Sequence, residues 1–119
     1  MREERLRATA GLRSSSTLSS WRGRSGRRYI VGVHALNETE LLEVTDAVIL
    51  AVKRDHAGNG IVVDAAMAAS DPSEQPRLRW LTKVQERGAT ELHIHRLAAT
   101  EDDRRAIFED LREDETQAS

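Results

Sequence analysis

The segment Glu91-Leu92-His93-Ile94-His95 alternates apolar and ligating side chains, so a β-strand there sets Glu91, His93 and His95 on one face. Two imidazoles in that spacing suit a divalent metal, with Glu91 or His34 from a neighbouring strand as the third donor. The chain has no cysteine and no His-x-x-x-His pair, so the commoner reading is a pair of histidines on a solvent-facing sheet. No metal and no cofactor are assigned. Asp64 interrupts the apolar run Ile61-Val62-Val63-Asp64-Ala65-Ala66; at a strand end, where a sheet opens, such a carboxyl is a remote candidate for a shifted pKa. Serine, histidine and aspartate all occur, but without a Gly-x-Ser-x-Gly elbow a hydrolase triad has no support. Trp80 stands among Arg77, Arg79 and Lys83. Such a group could stack a nucleobase beside phosphate contacts. It equally describes a half-buried tryptophan with arginine stems laid across it, which is the more frequent arrangement.

Those residues need a small core to position them. A chain of 119 residues with 39% hydrophobic content suits one domain. With four aromatics, Trp21, Tyr29, Trp80 and Phe108, the core must rest on Val, Ile, Leu and Ala. The absence of cysteine removes disulfides, thiolate metal sites and cysteine nucleophiles. No apolar run nears the roughly 18–20 residues that span a bilayer, and no signal-peptide segment is seen; a cytoplasmic protein is the expectation. The net charge of −2 conceals an asymmetry, with residues 1–28 at +6 and residues 29–119 at −8. A basic arm on an acidic body is found in proteins that touch phosphates or acidic surfaces. A solvated tail is the plainer explanation.

Residues 1–20 read as a disordered basic and Ser-rich tail, because Ser14-Ser15-Ser16-Thr17 with Ser19-Ser20 cannot bury much surface. A single domain is expected over 21–113, with 114–119 frayed. The run Trp21-Arg22-Gly23-Arg24-Ser25-Gly26-Arg27-Arg28-Tyr29 reads as a tight turn feeding a strand over Arg28–Leu36. Asn37-Glu38-Thr39-Glu40 has capping-box form. A hairpin follows from Ala47-Val48-Ile49-Leu50-Ala51-Val52 and Ile61-Val62-Val63-Asp64-Ala65-Ala66, apolar enough to be covered on both faces. A helix begins between Pro72 and Pro76, capped at Asp71, and closes at Gly88. A strand over Glu91–His95 and a helix capped by Thr100 and running to about Glu113 complete the chain. The order β-β-β-α-β-α predicts an α+β fold: a small four-stranded mixed sheet with two main helices packed on it.

That order, and the wording of several segments, resembles small bacterial proteins related to the GIY-YIG endonuclease domain. The resemblance spans Trp21–Leu111. It rests on Trp21, Gly23, Ser25, Gly26 and Tyr29, on Ala47-Val48-Ile49 through Lys53-Arg54-Asp55, and on Val62-Val63-Asp64. It continues in Gly88-Ala89-Thr90-Glu91-Leu92-His93-Ile94-His95 and Ala106-Ile107-Phe108-Glu109-Asp110-Leu111. In the family, two signature tyrosines, a helix arginine and a metal-binding glutamate cleave phosphodiesters. The resemblance sets Ile49 and Val62 at the tyrosine positions, Phe108 at the glutamate position, and Arg77 or Arg79 at the arginine position. Aliphatic and phenyl groups neither transfer protons nor bind hard cations, so it implies a degenerate, non-catalytic nuclease fold and no catalytic residues.

Three functions follow as expectations. The first is a non-catalytic accessory or binding module that contacts nucleic acid or an acidic protein through Arg22, Arg24, Arg27, Arg28, Arg77, Arg79 and Trp80. The second is a protein-interaction module acting as a homodimer or adaptor through Tyr29, Val31 and Val33. The third is a residual metal-dependent nuclease using Glu109 and Asp110, although Glu109 is turned about 100° from Phe108 on a helix.

Overall fold

The alternation in Ala47–Arg54 organises the chain: every residue from Ala47 to Val52 is buried, half against one layer and half against the other. The computed structural model describes residues 2–5, 17–69 and 74–112. In chain order the elements are β1 (Arg2–Arg5), β2 (Thr17–Arg22), β3 (Arg28–Ala35), α1 (Glu38–Glu43), β4 (Ala47–Arg54), β5 (Gly60–Ala68), α2 (Glu74–Glu86), β6 (Glu91–His95) and α3 (Glu101–Leu111). The strands form one sheet in the order β1-β2-β3-β6-β4-β5, and every pairing is antiparallel.

This corrects the expected architecture in two respects. The sheet has six strands rather than four and is antiparallel rather than mixed, and three helices accompany it rather than two. The additional strands, β1 and β2, come from residues 1–20, which composition assigned to a disordered tail. Serine misled because its hydroxyl finds partners: Ser19 Oγ donates to Glu3 Oε2 at 2.8 Å, and Ser20 Oγ to the Glu4 carbonyl at 3.2 Å. A buried hydroxyl so bonded carries little penalty. Trp21 on β2 is fully buried and anchors that strand. Residues 6–16, the Asp71 cap, Pro72 and the tail at 114–119 lie outside the described residues.

The remaining elements follow the sequence signals. Asn37 Oδ1 accepts the Glu40 N–H at 2.9 Å at the start of α1, and Thr100 Oγ1 accepts the Asp103 N–H at 3.1 Å at the start of α3. Ala47, Ile49 and Ala51 face a layer with Leu41, Leu81 and Leu92, beneath α1 and α2. Val48, Leu50 and Val52 face the opposite layer, with Trp21, Val31 and Leu111.

On β5 the pairing jumps from Ala51↔Asp64 to Val52↔Val62, leaving Val63 as an extra residue. Such a bulge reverses side-chain parity and strengthens the local twist. Val62 therefore joins Val52 in one layer while Asp64 and Ala66 join the other. The sheet curls until β1 and β4 meet through Glu3 and Arg54. No described helix is long and apolar enough to cross a membrane.

Leu50 is fully buried at the centre of β4, and Leu50→Ala is expected to cost about 3 kcal/mol. A urea unfolding midpoint that falls with an unchanged slope checks this, and a loss under 1 kcal/mol would refute it.

Candidate functional site

The parity that buries Val48, Leu50 and Val52 carries Arg54 to the same concave face, where β6 presents Glu91, His93 and His95. Both histidines are buried, not solvent-facing, because α3 and the two unforeseen strands cover that face. Arg54 is held between two carboxylates. Its Nη1 and Nη2 donate to the two Glu3 oxygens, the second at 3.1 Å, while Nε and Nη2 donate to Glu91 at 2.9 and 2.6 Å. Planar guanidinium and paired carboxylates match such bidentate contacts.

Next in the chain of bonds, Trp21 Nε1–H donates to His93 Nδ1 at 2.9 Å. An indole nitrogen can only donate, so Nδ1 is the bare nitrogen; Nε2 carries the hydrogen and donates to Glu91 Oε1 at 2.9 Å. Burial pushes the His93 imidazole below its ordinary 6.5 and outweighs the opposing pull of Glu91 and Glu3. Burial would raise both carboxyls, yet hydrogen bonds and the Arg54 charge prevail, holding Glu3 low and Glu91 at about 2. The Arg54 guanidinium is correspondingly raised. The N–H donors of this network are all engaged: the five of Arg54, the Trp21 indole and His93 Nε2 each have an acceptor.

At the other end of β3 the turn after β2 docks on α3. Gly26 has φ +91, which L side chains rarely adopt. Gly23 lets the Asp110 carboxylate approach so closely that a Cβ there would sit 2.2 Å from Oδ2. Asp110 accepts from the Ser25 N–H at 2.8 Å, Ser25 Oγ at 2.6 Å and the Tyr29 hydroxyl at 2.7 Å. Those donors overcome burial and hold its carboxyl below the usual range, while burial and the facing Asp110 raise Tyr29.

Between this dock, α3 and the segment after β6 lies an open cavity of about 760 Å³. His95 lines it. The residue is only 5% exposed, and its Nδ1 sits 2.7 Å from the Ile30 carbonyl, which fixes the hydrogen on that nitrogen. Among the described residues no hydrogen bond reaches Nε2, and it is not closed off from solvent. In the neutral ring it is a lone pair that can accept from whatever enters. Tyr29 meets the His95 ring edge-on at 5.6 Å between centroids. Arg27, Asp103, Leu97 and Ile107 also line the cavity, together with Arg24, Glu109 and Asp110.

The residues singled out for nucleic acid separate into two groups. Arg22 and Arg28, paired across β2 and β3, both reach Glu4 at 3.4 Å. Arg24 donates to the Glu109 carbonyl at 2.6 Å, and Arg27 is exposed at the cavity rim. Arg77 belongs to the other layer, where it caps α1 by donating to the Leu41 and Val44 carbonyls at 2.8 and 2.5 Å. Trp80 donates to Asp64 at 2.7 Å and packs on the α1/α2 core, and Arg79 is exposed on α2. Asp64 is thus mid-strand, at the bulge, rather than at a strand end. His34 pairs opposite Leu92 and so faces away from His93. Its Nδ1 lies 3.3 Å from Glu40. Among the described residues no three His, Asp or Glu side chains are arranged to hold a metal ion. Glu109 pairs with Arg112 at 3.0 Å. Ile49 lies in the α1/α2 layer while Val62 and Phe108 lie in the other, so these three do not meet.

No protein family, curated protein or solved structure matches this chain.

The signal for the inner network was present but dispersed: Arg54 continues the inward parity of Val48, Leu50 and Val52, and Glu91 and His93 share one strand face. Glu3 carried no comparable signal.

Glu3, Glu91 and His93 all titrate below their ordinary values when folded, so the unfolded chain binds protons more readily. Stability is therefore complete above pH 6.5 and declines on acidification, first through His93 and then, below about 4.5, through the carboxylates. Denaturation midpoints that rise between pH 4 and 7 test this; a flat profile would refute it. Asp110→Ala is expected to cost about 1–2 kcal/mol and to speed amide exchange at Ser25, with Gly23→Ala acting in the same direction. Unchanged Ser25 exchange in both variants would refute the docking role.

Proposed function

We propose that this chain is a non-catalytic binding module whose ligand site is the cavity beside α3. The observation that carries the reading is His95 Nε2. Among the described residues no buried side-chain nitrogen or oxygen lacks a partner, whereas this nitrogen, unbonded, opens onto a cavity of about 760 Å³, a size within the range of about 300–1,000 Å³ common for small-ligand sites. The other side chains of acid–base character on this cavity are already engaged. Asp110 is occupied by three donors, Glu109 is paired, and Tyr29 is held in its neutral form by burial and Asp110.

A polyanion is a poorer partner for this surface. Arg22 and Arg28 share Glu4, Arg77 is spent on α1, and Asp103 and Glu109 stand along the helix that borders the cavity. Strong nucleic-acid binding draws on many uncompensated cations. The reading favours a compact ligand, and a reducing, cytoplasmic setting for a cysteine-free chain is part of the same proposal.

Titrating the ¹⁵N-labelled chain with N-methylacetamide, a neutral probe with one N–H donor, is expected to move the Tyr29, His95, Leu97 and Ile107 amide resonances together. The resonances of α1 and α2 should stay fixed. Shifts that are absent, or spread evenly over the chain, would overturn the assignment.

A further inference from the structure

Around the cavity, charge is unevenly committed. Asp110 is saturated by Ser25 and Tyr29, Glu109 is paired with Arg112, and Arg24 bonds the Glu109 carbonyl. Two charged groups remain without a hydrogen bond or ion pair among the described residues: the Arg27 guanidinium on the turn and the Asp103 carboxylate in the first turn of α3. They are opposite in sign and both border the same cavity. The buried His95 ring, with its open Nε2, lines it with them, and Leu97 and Ile107 supply apolar wall.

A simple anion would satisfy Arg27 but would stand against Asp103, and a simple cation would do the reverse. A neutral apolar molecule would offer no partner to either charge or to the imidazole lone pair. A ligand with a carboxylate at one end, an ammonium at the other and N–H donors between them matches all three groups.

We propose that the cavity binds a short zwitterionic peptide, its carboxylate on Arg27, its ammonium on Asp103 and a backbone N–H donating to His95 Nε2. This rests on the cavity being the binding site and adds the class of ligand. Apolar side chains of such a peptide would lie on Leu97 and Ile107, where association removes apolar surface from water. No bond is made or broken.

The test uses the full chain and the tripeptide Ala-Leu-Ala, compared with its N-acetylated and its C-amidated forms, by NMR titration. The free tripeptide is expected to shift the cavity resonances and the His95 Nε2 signal, and each blocked form to bind at least fivefold more weakly. Arg27→Gln should abolish the preference over the amidated form alone, and Asp103→Asn the preference over the acetylated form alone. Both side chains are exposed, so neither change threatens the fold. Equal binding of all three forms, or no binding of any, would overturn the peptide assignment. Whether N-methylacetamide still moves the cavity resonances then decides separately if the site itself stands.

Discussion

Arg54 lies at the point where this sheet closes. A guanidinium on β4 is clasped by Glu3 from the first strand and Glu91 from the sixth, so elements distant in sequence converge on one planar cation. β1 has only four residues, and the two whose side chains are described are both glutamates. It is attached by ladder bonds to β2, by the Ser19 and Ser20 hydroxyls, by Arg22 and Arg28 on Glu4, and by this ion pair. The arrangement needs all its members. A buried guanidinium with one carboxylate removed, or a buried carboxylate without its guanidinium, is far costlier than an intact set. That interdependence ties β1, β4 and β6 into one cooperative unit, which Trp21 and His93 extend into β2.

β6 then runs from a closed chemistry to an open one. Glu91 and His93 use their polar atoms inside the network, whereas His95, two residues further on the same face, keeps one nitrogen available. Asp110 sets the outer limit of that opening by holding the turn of Gly23 and Gly26 against α3. The cavity is bordered along α3 from Asp103 to Asp110, the residue by which the turn holds the helix. Rigid supports around one accessible acceptor are what a preorganised binding site requires.

Much of the fold could be read from local signals, because β3 to α3 obey them. The capping residues Asn37 and Thr100, the apolar β4–β5 pair and the alternation in Glu91–His95 all correspond to elements of the structure. What escaped was non-local. Thr17–Ser20 has the composition of a linker, and only the tertiary partners Glu3 and Glu4 make its hydroxyls suitable for a strand. Mistaking that segment hid two strands, and with them the cover over His93 and His95. Strict two-residue alternation also fails at Val63, where the bulge sends Val62 and Asp64 to opposite layers, a change that no pattern in Ile61–Ala66 signals. The cavity was legible only as separate residues, since Arg27, His95 and Asp103 come from three segments that converge in space.

The two tryptophans divide the molecule between them. Trp21 is sealed within the concave layer with its indole hydrogen on an imidazole nitrogen, whereas Trp80 lies under the helices of the convex layer with its indole hydrogen on a carboxylate. Each chromophore is thereby sensitive to a different half of the interior. Light emitted by one reports the state of the seam and by the other the seating of the helices, so the chain carries two native optical labels that need no dye.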